Sequence, residues 1–254
     1  MLSENQKIWR YQELWKFESM LDKKSLFFSK ASEMEDKEEG QTSADNNLIF
    51  EHLMDTISQN QGLPQHHREI FTRQARATRQ EELEINKLLQ HHTLMSCWRV
   101  GNDESARAWA EYVGNKKGVA VQSTYGKLKE CFEKRGYRVF TGLRKFDEYP
   151  EPNNIFVEKV AYEDVGLYMV GKPPYYEPFL YTRKGLSYEW EDELRAFVML
   201  ADEINGKGVP VPIGLEHLIE TIVVSPRVPE LYDEIESLIA EHRLGIDVKN
   251  SRVD

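Results

Sequence analysis

Apolar residues recur along this chain in short blocks that alternate between helical and extended spacing. Ile8-Trp9-Arg10-Tyr11 reads as a short opening strand or turn, and Leu14, Phe17 and Leu21 follow at the interval of an amphipathic helix. Ser25-Leu26-Phe27-Phe28-Ser29 is a compact β-like run, after which residues 30–47 become polar and acidic and read as a loop. Leu48, Phe50, Leu53, Met54 and Ile57 predict a helix that stops near Gly62 and Pro64, and a second helix is predicted over 68–89. Thr93-Leu94-Met95-Ser96-Cys97-Trp98 then returns to a strand pattern.

Beyond it, Asp103 is placed to cap a helix whose inner face is Ala106, Trp109, Ala110 and Val113. Residues 117–121 read as a strand, Leu128, Cys131 and Phe132 as a short helix, and 137–146 and 155–162 as strands. Residues 172–178 form an irregular, proline- and tyrosine-rich loop. A helix turn around Leu215, Leu218 and Ile219, a strand over 221–224, a helix over 229–243 with Gly245 just beyond it, and a last strand at 246–248 complete the pattern. The mixture predicts an α+β fold: one domain over 1–254 with a mixed, largely antiparallel sheet, flanking helices and a helical insertion at 48–92.

The stretch where pattern and chemistry collide is Tyr188-Glu189-Trp190-Glu191-Asp192-Glu193-Leu194-Arg195, which runs into Ala196-Phe197-Val198-Met199-Leu200. Extended throughout, it puts Glu189, Glu191, Glu193 and Arg195 in one row beside a core that excludes unpaired charge. Three origins fit such a row: a solvated sheet edge guarded by charge, a structural ion pair with Arg195, or a site that uses carboxylates.

Composition narrows the classes. In 254 residues, 40% are hydrophobic and 11% aromatic, so a full core is available. The formal charge of −10 argues against nonspecific nucleic-acid binding by the whole surface. Cys97 and Cys131 are the only cysteines, and the chain has neither a signal-peptide pattern near its start nor a stretch approaching the roughly 20 apolar residues of a membrane span. A soluble cytoplasmic protein without a membrane partner is expected.

Other candidates are sparser. Arg10 lies between Trp9 and Tyr11, which suits either recognition of a phosphate or carboxylate or a stacked structural arginine. Ser25 and Ser29 are hydroxyls at strand ends. The pairs His66-His67 and His91-His92 point to different helix faces, and no HExxH or CxxC occurs, so no metal site is expected. Glycine-rich phosphate loops and G-x-S-x-G are also missing. Arg68, Arg73, Arg76 and Arg79 form one basic stretch, either a contact surface or a solvated face balanced by Glu81, Glu82 and Glu84.

These blocks, in this order, resemble a bacterial family, domain-of-unknown-function family twenty-nine seventy-one. The likeness rests on Trp9-Arg10-Tyr11, Leu26-Phe27-Phe28-Ser29, Ser96, Trp109-Ala110-Glu111-Tyr112, Gly118 and Glu191-x-Glu193-x-Arg195. The family's Phe-Asn-Asp-Pro block is degraded here to Met34-Glu35-Asp36-Lys37, with Glu39-Gly40 after it. A second resemblance is to ADP-ribosyltransferases, which combine an early Arg, a Ser-bearing strand and a late Glu-x-Glu. That resemblance implies NAD as co-substrate: Arg10 on its phosphates, Ser29 supporting the glutamate, and Glu193 or Glu191 holding the ribose while oxocarbenium character develops. Tyr11 or Tyr112 would stack on nicotinamide. The implied role is an intracellular effector, a toxin or phage-defence protein modifying a protein or RNA acceptor and restrained by a neutralising partner. The alternative is a non-catalytic binding module, with Glu191, Glu193 and Arg195 structural and the 68–79 stretch as contact surface.

Overall fold

The alternating runs resolve into strands because each finds a hydrogen-bonded neighbour, and ten of them form one sheet. A computed structural model describes residues 2–34, 44–141, 154–163 and 181–253. In chain order the elements are β1 (Lys7–Glu13), α1 (Leu14–Lys23), β2 (Ser25–Lys30), α2 (Ala44–Gln59), α3 (Gln65–His92), β3 (Thr93–Val100), α4 (Ala106–Tyr112) and β4 (Gly118–Thr124). There follow α5 (Tyr125–Glu133), β5 (Arg138–Phe140), β6 (Asn154–Lys159), β7 (Ala161–Glu163), β8 (Arg183–Gly185), β9 (Glu193–Met199) and β10 (Gly208–Pro212). The chain closes with α6 (Leu215–Leu218), β11 (Thr221–Val224), α7 (Tyr232–Glu241) and β12 (Asp247–Asn250).

The main path through the sheet is β12-β11-β4-β1-β3-β9-β6-β5, and β2 joins both β10 and β3. Only β11–β12 and β5–β6 pair in parallel within it, so the sheet is mixed and largely antiparallel, and the fold is α+β. One face carries the main core: Ile8, Trp98, Val121, Leu194 and Ile222 lie beneath α1, α5, α6 and α7, whose Phe17, Phe132, Leu218 and Ile235 are buried on it. Phe28 and Phe132 meet edge to face at 5.9 Å. Truncating either would leave a cavity costing about 3–5 kcal/mol. On the opposite face, α4 packs Ala108 and Trp109 over Trp9, Tyr11, Ala120 and Val223, while Met95, Phe156, Tyr181 and Phe197 form a separate cluster. Between these two clusters lie the charged residues considered below.

Gly118 opens β4, where a Cβ would come within 2.6 Å of the Gln12 carbonyl oxygen. Glycine therefore lets β4 run beside β1 to its end, in the register Glu13 opposite Gly118. Several expected boundaries shift for local reasons. The side chain of Ser105, not Asp103, caps α4 by accepting from the Ala108 amide at 3.2 Å. The last helix, expected over 229–243, spans Tyr232–Glu241 and ends ahead of a left-handed Arg243 (φ 56°). The run 155–162 breaks at Val160, whose amide donates to the Glu193 carbonyl as the chain turns from β6 into β7. Of the expected strand 137–146 only 138–140 is extended, with 142–150 outside the described residues, as are the loop at 172–178 and most of the degraded block after Met34.

Candidate functional site

The acidic row does not form as one strand. Leu186–Glu191 coils into a 3-10 turn, Asp192 takes a left-handed backbone (φ 43°), and β9 begins only at Glu193. Asp is among the few residues that tolerate that conformation, and once adopted it ends the alternation. Glu189 is consequently exposed, and only Glu193 and Arg195 share a strand face by spacing.

Glu191 rejoins them through a residue that the sequence pattern missed, Lys184. Its Nζ lies 2.7 Å from Glu191 Oε2 and 3.3 Å from Glu193 Oε2, while Arg195 Nη2 donates to Glu193 Oε2 at 2.9 Å. All four side chains are at most 9% exposed, and Arg195 is fully enclosed. Two cations offset two carboxylates, which is what buried charge requires. Arg195 Nη1 also donates to the Tyr181 carbonyl at 2.8 Å, and the Glu193 amide donates to the Tyr162 hydroxyl at 2.8 Å. The short parallel ribbon β7–β8 supplies this, because it sets Tyr162 opposite Lys184. Lys184 carried a weak signal: a cation seven positions ahead of Glu191, with no pattern to bring them together.

Environment separates the two glutamates. Burial pushes the Glu193 carboxyl up, but Arg195, Lys184 and the Cys97 thiol outweigh it and hold its pKa at about 2. For Glu191 burial prevails over Lys184, and its pKa is raised. Burial works against the Lys184 ammonium, yet the pull of Glu193 and Glu191 leaves its pKa above the ordinary value. Burial beside Glu193 also pushes the Cys97 thiol well up, so no reactive thiolate is generated there.

Arg10 lies on the other side of the sheet. Across β1, β3 and β9, Trp9 is opposite Arg99 and Arg99 opposite Glu193, so these three share a face. Arg10, one position on, pairs with Val121 of the main core. β1 and β2 both pair with the same edge of β3, β1 at Arg99–Val100 and β2 at Leu94–Met95. Arg10 fills the fork between them: it donates to the Ser96 hydroxyl and to the Phe27 carbonyl (3.3 Å), and its guanidinium lies 6.0 Å from the Trp98 ring. These donors thus tie the sheet together at the fork, and Arg10 and Glu193 extend from opposite faces of it.

The remaining candidates divide. Ser29 is opposite Met95, itself opposite Phe197, four positions along β9 from Glu193 and about 13 Å away by strand rise. Tyr11 is core: its ring meets Trp109 at 5.0 Å, its hydroxyl accepts from the Ser105 amide at 2.8 Å, and burial pushes its pKa up to about 12. Tyr112 does converge with the glutamates. Burial, then Glu191 and Glu193, raise its pKa, and its ring lies 6.1 Å from Trp190, over which Arg107 stacks at 4.2 Å.

The second candidate region is the helical insertion. By helical rotation, Arg68, Thr72, Ala75, Arg79, Leu83, Asn86 and Gln90 of α3 form one seam, and with Leu89 and His92 they are its half-buried and buried positions. Arg68 ties the seam to the α2–α3 connection by donating to the Ser58 and Asn60 carbonyls, and Arg76 pairs with Glu51 of α2 at 2.9 Å. Outside the seam, Ile70 and Leu88 opposite it and Ile85 and Phe71 towards one flank are between 39% and 57% exposed. Towards the tip the helices leave a hollow of about 610 Å³ bordered by Glu69, Thr72, Arg73 and Arg76.

Among the described residues no group of three or more His, Cys, Asp or Glu side chains could hold a metal ion, and no helix is long and apolar enough to cross a membrane. No family model, curated protein or solved structure matches this chain.

Proposed function

We propose that the chain is a non-catalytic binding module that engages a protein partner through the α2–α3 arm. The observation that carries this reading is the placement of apolar residues on α3. Four large side chains are exposed outside the seam, while the seam itself is largely polar. A helix normally does the reverse, so an outward apolar stripe marks a contact made with another molecule. The presence of acidic as well as basic residues along it suits protein better than nucleic acid, whose phosphates would meet Glu81 and Glu84. The buried network fits the same reading. Glu193 is fully engaged by Arg195, Lys184 and Cys97, so a ribose hydroxyl would have to displace a buried ion pair to reach it.

The test is affinity capture of partners from the native cell by the whole chain, compared with a Phe71→Glu/Ile85→Glu variant of equal thermal stability. Specific binding lost in the variant supports the arm; binding retained in full rejects it.

One observation favours an NAD-dependent ADP-ribosyltransferase-like activity as a second reading: the partly exposed Tyr112 ring lies 6.1 Å from that of Trp190, the residue before Glu191. Nicotinamide release from NAD that disappears in Glu191→Ala would establish that activity and demote the arm to an accessory role. No release above a blank removes it.

A further inference from the structure

We infer that the partner of the arm is a second copy of this chain, packed as an antiparallel α3–α3 pair about a two-fold axis near Thr78. The inference rests on the arm being a contact surface, and it adds the identity of what covers it.

Two independent patterns along α3 point to the same arrangement. The first is apolar. Ile70 and Phe71 lie at one end of the outward stripe and Ile85 and Leu88 at the other, with the small exposed residues Ala77 and Thr78 between them. Reversing the helix about a point between Thr78 and Arg79 brings Phe71 against Ile85 and Ile70 against Leu88 of the second copy. A two-fold axis repeats both contacts, so every large apolar residue of the stripe is covered by another. Thr78, at the axis, leaves room for the backbones to approach.

The second pattern is charge. The half of α3 before the axis carries Arg68, Arg73 and Arg76 against Glu69, and the half beyond it carries Glu81, Glu82 and Glu84 against Arg79 and Lys87. A parallel pair would set like halves side by side, whereas the antiparallel pair sets the basic half of each helix against the acidic half of the other. Arg73 and Glu84 are equidistant from the proposed axis and lie on the same flank of the stripe by helical rotation. Each copy therefore offers Arg73 to the other's Glu84, twice per dimer. A partner of unrelated sequence would have to match both patterns, while a second copy supplies them by construction.

The contact spans residues 70–88, roughly 27 Å of helix, and one helix face is smaller than a standard interface. A dissociation constant on the order of 10 µM is expected.

Sedimentation equilibrium of the whole chain between about 1 and 200 µM should show monomer giving way to dimer, and Phe71→Glu/Ile85→Glu should keep it monomeric throughout. Arg73→Glu and Glu84→Arg should each weaken the dimer by roughly tenfold, and the two together should restore it, because the swap rebuilds both pairs. Thr78→Cys should cross-link into a covalent dimer under mild oxidation, with Cys97 and Cys131 replaced by Ser. A chain that stays monomeric to the highest concentration, or a dimer indifferent to Phe71→Glu/Ile85→Glu, overturns the inference. If the chain is monomeric yet arm variants lose a different captured protein, this inference alone fails. If capture is also unaffected, the arm reading fails with it.

Discussion

The network around Glu193 and the outer stripe of α3 break the same rule in opposite directions. The first buries charge, and the second exposes large apolar side chains. The network closes on itself: Lys184 pairs with Glu191 and Glu193, Arg195 pairs with Glu193, and the Tyr162 hydroxyl takes the Glu193 amide. Among the described residues the stripe has no such completion. A charge cluster is thus weak evidence of a site once its partners close around it, and an apolar face without partners is the stronger evidence of an interaction.

The contrast can be broken at either end, and the largest effect is expected in the network. Arg195→Met leaves Glu193 with Lys184 and the Cys97 thiol and should destabilise the fold by about 3–5 kcal/mol in urea unfolding. A loss below about 1 kcal/mol would mean that solvent reaches this cluster.

The pH dependence tests the same point. The folded-state pKa of Glu193 is about 2, below its unfolded value of 4.5, so its contribution is complete at neutral pH and drains away as pH falls from 4.5 towards 2. Glu191 acts in reverse: its raised pKa makes ionisation costly once pH rises past 4.5, which offsets part of the gain. In Glu193→Gln the acid limb of stability should be flatter than in the parent, by an amount on the order of a few kcal/mol across that range. Equal limbs would place the acid sensitivity elsewhere.

At the sheet fork a smaller loss is expected. Arg10→Lys keeps the charge but cannot reach Ser96 and the Phe27 carbonyl together, and about 1–3 kcal/mol of stability should go. A variant as stable as the parent would release Arg10 from its structural role and reopen it as a ligand-binding residue. The arm should respond least in stability. Phe71→Glu/Ile85→Glu should stay within about 0.5 kcal/mol of the parent by thermal unfolding while losing association. A large stability loss there would mean that the stripe packs within the chain.

Apolar spacing was sufficient to place most elements, because burial of one face is a local property of each segment. β1, α1, β2, β4 and β11 fall where their alternation or helical interval predicts. The basic helix was legible too, and runs further than expected, from Gln65 to His92, because nothing in its flanks interrupts it before Pro64 or the β3 strand. The site was harder to read. Glu193 and Arg195 were found as a pair because two positions on a strand share a face. Glu191 was assigned to that face by the same logic, and one left-handed residue, Asp192, undid it.

By itself the sequence determined the fold class, the pair of helices between β2 and β3 and the existence of a charged cluster at the start of β9, since each follows from spacing within one segment. Only the tertiary structure decided that Lys184 completes that cluster, that Arg10 faces the other side of the sheet, and that the apolar stripe of α3 is left outside. Those outcomes depend on strand register and on which segments meet across many residues of chain. No local periodicity encodes such meetings, because they are fixed by the simultaneous packing of all the elements.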